Sequence, residues 1–179
     1  MQQVSLRDYC QQASSLIQSG EPHKAIHITR HILRRYPRHV ESYRVLAQAL
    51  LASGDPQSAG MQFRRVLSAD PEDVTSRIGL AETHLATGDP DKAIWHLQRA
   101  VDLSPGDSDL RARLGQLAEA HQGNGRPETS ATTRAALGRV HARSGLHAKA
   151  AQEFRAVLEA QPDRTDVQTA LAEVLWRTG

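Results

Sequence analysis

Glycine, alanine and proline return in one phase along this chain. The stretch GDPQSAGMQFRRVLSADP from Gly54 to Pro71 is echoed by GEPHKAIHITRHILRRYP from Gly20 to Pro37 and by GDPDKAIWHLQRAVDLSP from Gly88 to Pro105. Gly20, Gly54 and Gly88 stand 34 residues apart, and so do Pro37, Pro71 and Pro105. Each copy reads as one helix with its punctuation. Gly54 ends the preceding helix, Asp55 accepts a backbone N–H as N-cap, and Pro56 takes the first helical place, where its missing N–H costs nothing. Ala59, Phe63, Val66 and Leu67 then share a face at helical spacing, and Pro71 stops the run.

A second helix precedes each copy. Tyr9, Ala13, Leu16 and Ile17 make an apolar stripe on Leu6 to Ser19; Tyr43, Leu46, Ala47 and Leu50 do so on Val40 to Ser53; Leu80, Ala81 and Leu85 do so on Val74 to Thr87. The chain is therefore expected to fold as helical hairpins, each leaving an apolar face that the next must cover. Only 4% of its 179 residues are aromatic, which favours packing through small residues.

At these residues the chain resembles the tetratricopeptide repeat family. The repeat length agrees, as do the small residue at the eighth place of each unit (Ala13, Ala47, Ala81), the alanine of the second helix (Ala25, Ala59, Ala93) and the closing proline. The family's aromatic near the start of each unit is present as Tyr9 and Tyr43 but replaced by Arg77, and Thr29 stands where Phe63 packs in the second unit. The resemblance implies an all-α, right-handed superhelical solenoid of such hairpins.

Beyond Pro105 the phase breaks. A further first helix begins at Ser108, GNGRPETS from Gly123 to Ser130 reads as a loop by composition, and another first helix begins at Ala131. The full pattern returns from Gly145 to Pro162, followed by the first-helix pattern TDVQTALAEVLWRTG. Gly88 to Gly145 is 57 residues where two units need 68, a deficit of one short helix. The expected organisation is three units plus one capping or half-repeat helix over 6–122, an irregular loop at 123–130, and one further unit plus a terminal helix over 131–179, stacked in the same solenoid. Val174 is expected on the outward face of the terminal helix, where a longer chain would cover it or copies would self-associate.

Catalytic patterns are missing from the sequence. The glycines come one per unit and form no phosphate-binding loop, and no cofactor motif is present. Cys10, the only cysteine, rules out an internal disulfide. No apolar run reaches the roughly 20 residues of a membrane-spanning helix, and a cytoplasmic protein is expected. His23, His27 and His31 lie four residues apart on one helix face, a spacing that can hold zinc or nickel, but no acidic ligand completes the set. Lys24, Arg30, Arg34 and Arg35 on the same helix, with Arg38 following, form a basic stripe within a first fifty residues of net charge +4. Nucleic acid or an acidic protein surface is the minor alternative there, because Tyr36 alone gives no stacking platform for single strands.

The resemblance implies a working surface in the concave groove lined by the first helices. Carried over by position, it receives Arg7, Cys10 and Ser14, then Arg44, Gln48 and Leu51, then Ile78, Glu82 and Leu85, with Gln116, Arg139, Arg143, Glu173 and Trp176 continuing it. Ile17, Leu51 and Leu85 make an apolar line among charges, which suits an extended or helical peptide. Members that clamp a terminal carboxylate use polar residues where Cys10, Ser14 and Gly79 stand here, so that ligand is not expected. The reading is a non-catalytic interaction scaffold for a protein or peptide segment. The alternative is a regulatory or targeting segment of a larger protein whose enzyme lies outside this chain.

Overall fold

The computed structural model describes residues 5–121 and 133–178. These residues form ten helices: α1 (Leu6–Gln18), α2 (Pro22–Arg35), α3 (Val40–Ala52), α4 (Pro56–Ala69), α5 (Val74–Ala86), α6 (Pro90–Leu103), α7 (Ser108–His121), α8 (Arg134–Arg143), α9 (His147–Ala160) and α10 (Thr165–Thr178). The fold class is all-α, as the periodicity predicts. The expected loop at 123–130 lies outside the described residues. The chain divides into two compact units, residues 1–93 and 94–179.

Backbone chemistry at the helix ends explains the 34-residue rhythm. Gly20, Gly54, Gly88 and Gly145 all have positive φ, between 73° and 84°. At Gly54 the N–H reaches the Leu51 carbonyl (3.1 Å) and the next N–H, of Asp55, reaches Leu50 (2.9 Å). This left-handed cap satisfies carbonyls that the helix end would otherwise orphan. The other three glycines close their helices with the same pair of bonds. Asp55 then caps the next helix by accepting from the Ser58 N–H at 3.0 Å, as predicted.

The first unit packs α1 to α5 as successive antiparallel neighbours, with α3 meeting α1, α2, α4 and α5. Ala13, Ala25, Ala47, Ala59 and Ala81 are fully buried. Their small size lets the helices approach closely, and Leu46, Leu50, Phe63 and Leu80 fill the remaining space. Thr29 is fully buried as well, and its hydroxyl donates to the Ala25 and Ile26 carbonyls of its own helix, so no polar group is left unmet. Tyr9 departs from the expected stripe: it is exposed.

The replacement of the early aromatic by Arg77 has a clear explanation. The Tyr43 hydroxyl donates to the Pro37 carbonyl at 3.0 Å, the Arg77 Nη2 to the Pro71 carbonyl at 3.3 Å, and the Gln168 Nε2 to the Pro162 carbonyl at 2.6 Å. Three different donors serve one acceptor, the carbonyl of the proline six residues earlier.

In the second unit, Ala135, Ala150, Ala151, Phe154, Val167, Ala170 and Val174 form the core of α8 to α10. Val174 is therefore not an outward residue: at 4% exposure it packs inward. The large exposed apolar side chains of α10 are its neighbours Leu175 and Trp176, the latter 84% exposed. The second unit also buries charge. Arg164 Nε donates to Asp166 Oδ1 at 2.9 Å, and its Nη2 reaches Asp166 Oδ2 at 2.7 Å and Asp102 Oδ2 at 3.3 Å. Arg139 joins Asp166 at 3.2 Å, Arg99 lies 3.4 Å from Asp102, and the Thr133 hydroxyl donates to Asp102. Burial pulls the Arg164 guanidinium down, but the bonds and charge of Asp166 and Asp102 outweigh it and hold its pKa above the ordinary value. The cluster ties α6, α8 and the α9–α10 turn together.

Candidate functional site

The first unit holds a cleft of about 620 Å³ lined by side chains of α1, α3 and α5. Ser14, Arg44, Gln48, Leu51 and Glu82, all predicted for the groove, line it. Ile17, expected beside Leu51 in the apolar line, lines it too, and Gln18, Glu41, Ala52 and Thr75 come in addition. Helical spacing accounts for the additions: Gln18 lies one turn beyond Ser14, Ala52 one turn beyond Gln48, and Thr75 two turns before Glu82. Extending each stripe by a turn would have found them in the sequence.

Arg44 does not present a free guanidinium. Its Nη1 pairs with Glu41 and its Nη2 with Asp73 at 2.6 Å, so it links α3 to the start of α5 and is only about a quarter exposed. The charged side chains that line the cleft are thus Glu41, Glu82 and Arg44, with Asp73 holding Arg44 from behind. Leu51 and Ile17 supply its apolar floor, both half-buried.

Several predicted groove residues lie elsewhere. Cys10 is 4% exposed, and its Sγ sits 3.4 Å from the Ser42 Oγ of α3. It is a packing residue, because α1 and α3 approach too closely there for a ligand. Burial pushes its thiol pKa up, which opposes thiolate formation. Arg139 is buried on Asp166 and is likewise no groove residue. Arg143 is exposed, but its Nη2 donates to the Leu103 carbonyl at 3.1 Å. Glu173 pairs with Arg177 along α10. Arg7 and Gln116 are exposed, Ile78 is half-buried, and Leu85 is 38% exposed; none of them lines this cleft.

The basic stripe is divided. Lys24 pairs with Glu21, whereas Arg30, Arg34, Arg35 and Arg38 are exposed. His23, His27 and His31 are exposed on α2, and among the described residues no three His, Cys, Asp or Glu side chains come close enough to hold a metal ion. No described helix is long and apolar enough to cross a membrane.

Sequence profiles of the tetratricopeptide repeat match residues 50–94, 76–117 and 135–179, together more than half of the chain. The chain belongs to the tetratricopeptide repeat family. The tetratricopeptide fold is also that of its structural neighbours. A thermophilic tetratricopeptide-repeat protein of Thermus thermophilus is similar at a TM-score of 0.57 and 18% identity, over 96% of this chain and 100% of that one. A tetratricopeptide repeat protein of Parabacteroides merdae is similar at 0.59 and 17%, over 97% and 72%. The first tetratricopeptide domain of the human RPAP3 protein is similar at 0.58 and 12%, over 63% and 88%. At such identities the likeness is one of fold. No curated protein sequence matches significantly. Tetratricopeptide repeats are protein-interaction modules and typically non-catalytic.

Proposed function

We propose that this tetratricopeptide repeat protein binds an extended or helical segment of a protein partner in the cleft between α1, α3 and α5. The observation that carries the reading is the gathering of Ser14, Arg44, Gln48, Leu51 and Glu82, from three helices far apart in sequence, around one cleft of about 620 Å³. A cleft of that size suits a few side chains of a peptide. Ile17 and Leu51 would receive an apolar side chain, and the carboxylates of Glu41 and Glu82 at the cleft favour a Lys or Arg beside it. Arg44, held by Glu41 and Asp73, keeps the rim in place instead of pairing with the ligand.

The test is capture of a partner by the wild-type chain compared with Leu51→Glu and Glu82→Lys. The half-buried Leu51 and Glu82 lie at the cleft surface, so both variants should keep their helical circular dichroism. Binding is expected to fall on the order of tenfold or more with either, as for a central contact of an interface. Partner retention equal to wild type in both variants would remove the cleft from consideration.

A further inference from the structure

A second surface of the first unit has a different chemistry. A groove of about 700 Å³ opens between α1 and α2, on residues that the α1–α3–α5 cleft does not use. Tyr9, Ile28 and Tyr36 give it an apolar lining, and Arg34, Arg35 and His31 stand around it. Tyr9 is 40% and Tyr36 47% exposed, and both arginines are exposed. Among the described residues no acidic side chain lines this groove.

Two features of the groove go beyond what stability asks. Arginine in the last turn of a helix is favourable to the helix dipole, which accounts for Arg34 and Arg35 at the end of α2. It does not account for the two half-exposed tyrosines, Tyr9 and Tyr36, placed beside them, whereas Ile28 also packs against the core. Large apolar side chains left in water beside unneutralised cations mark an interaction surface more often than a solvated face. The shape points the same way. The groove runs between two antiparallel helices, and in this unit such hairpins receive a helix: α3 packs against both α1 and α2 through other residues, including the Cys10–Ser42 contact.

We infer that the α1–α2 groove is a second docking site, whose occupant is an acidic amphipathic helix of a protein partner. Its apolar face lies on Tyr9, Ile28 and Tyr36, and its carboxylates pair with Arg34 and Arg35. Arginine suits this role, since its planar fork takes a carboxylate through two parallel hydrogen bonds. Lys24, Arg30 and Arg38 do not line the groove, so the recognition element is the C-terminal turn of α2 and not the whole basic stripe. The site is independent of the cleft between α1, α3 and α5.

The probe is a fluorescein-labelled, C-amidated peptide of about 15 residues, with leucines at helical spacing on one face and glutamates on the other, read by anisotropy. A lysine-for-glutamate counterpart and a single-stranded oligouridylate serve as comparisons. Saturable binding of the glutamate peptide is expected, with little binding of the lysine peptide. The Arg34→Glu/Arg35→Glu variant should weaken it at least tenfold, and Tyr36→Ala severalfold, while Leu51→Glu leaves it unchanged. All of these positions are exposed or half-buried, and circular dichroism verifies that each variant is folded. Equal affinity for the lysine peptide, tighter binding of the oligouridylate, or indifference to both groove variants would overturn the inference. Sedimentation of the protein alone would also overturn it if the groove variants dissolved a dimer, because the occupant would then be a second copy. Loss of binding with Leu51→Glu alone would assign the peptide to the cleft instead.

Discussion

The ring of Phe63 in α4 occupies the space that a Cβ on Gly79 in α5 would need: its Cζ lies 2.2 Å from that position. Gly79 is therefore a packing partner and not a flexible point in the helix. A similar pairing recurs in the second unit, where the Phe154 ring comes within 2.5 Å of the corresponding position on Gly138. Phe63 and Phe154 both have the largest fully buried side chains of their units.

Gly79→Ala separates two opposing effects. Helix propensity alone favours alanine by about 1 kcal/mol, whereas forcing a methyl group into a filled space costs about 1–3 kcal/mol. Because the ring lies so close to that position the steric cost should fall at the upper end and win, giving a net loss of up to about 2 kcal/mol in urea denaturation. Phe63→Leu, which withdraws the ring, should make the second substitution much less costly. A stabilised Gly79→Ala protein would contradict the packing.

The buried cluster around Asp102 and Asp166 should respond very differently from the surface pair Glu173–Arg177. Arg164→Met leaves two carboxylates, both 1% exposed, short of a counter-charge. A loss of about 3 kcal/mol or more is expected. Arg177→Ala breaks a pair whose side chains are more than half exposed and should cost under about 1 kcal/mol, less still in high salt. Comparable denaturation midpoints for the two variants would mean that the cluster does not hold the second unit together.

The helix caps predict the shape of the acid limb. Hydrogen bonds from Ser58 hold the Asp55 carboxyl below its ordinary pKa, and those from Lys92 do the same for Asp89. A carboxyl depressed in the folded state contributes stability that is complete above its unfolded pKa, near 3.9, and that fades as pH falls through the lower folded value. Asp55→Asn/Asp89→Asn keeps the capping acceptor but removes the titration. Its Tm should therefore fall less steeply than wild type below about pH 4. Parallel curves for the two proteins would exclude this coupling.

Much of the architecture can be read from residue order because the punctuation is local chemistry. The helix expected to begin at Pro56 and to stop before Pro71 is α4, Pro56–Ala69, since Gly, Asp and Pro set helix ends by their own backbone preferences. The site was legible where three helices repeat one phase, as with Ser14, Gln48 and Glu82. It was not legible where a neighbour distant in sequence decides the outcome. Cys10 leaves the groove because it meets Ser42, Arg139 because it meets Asp166, and Val174 turns inward to the core of α8 and α9. Spacing along one helix says which residues share a face, but not what lies opposite that face.

The bond from Tyr43, Arg77 or Gln168 to the preceding proline's carbonyl has an engineering consequence. The invariant half of this joint is main chain, so any side chain long enough to donate can complete it. A hairpin could be transplanted between otherwise unrelated solenoids by retaining the proline turn and supplying one such donor six residues on. The tie to the next helix would then travel with the turn and would not need to be redesigned for each new neighbour.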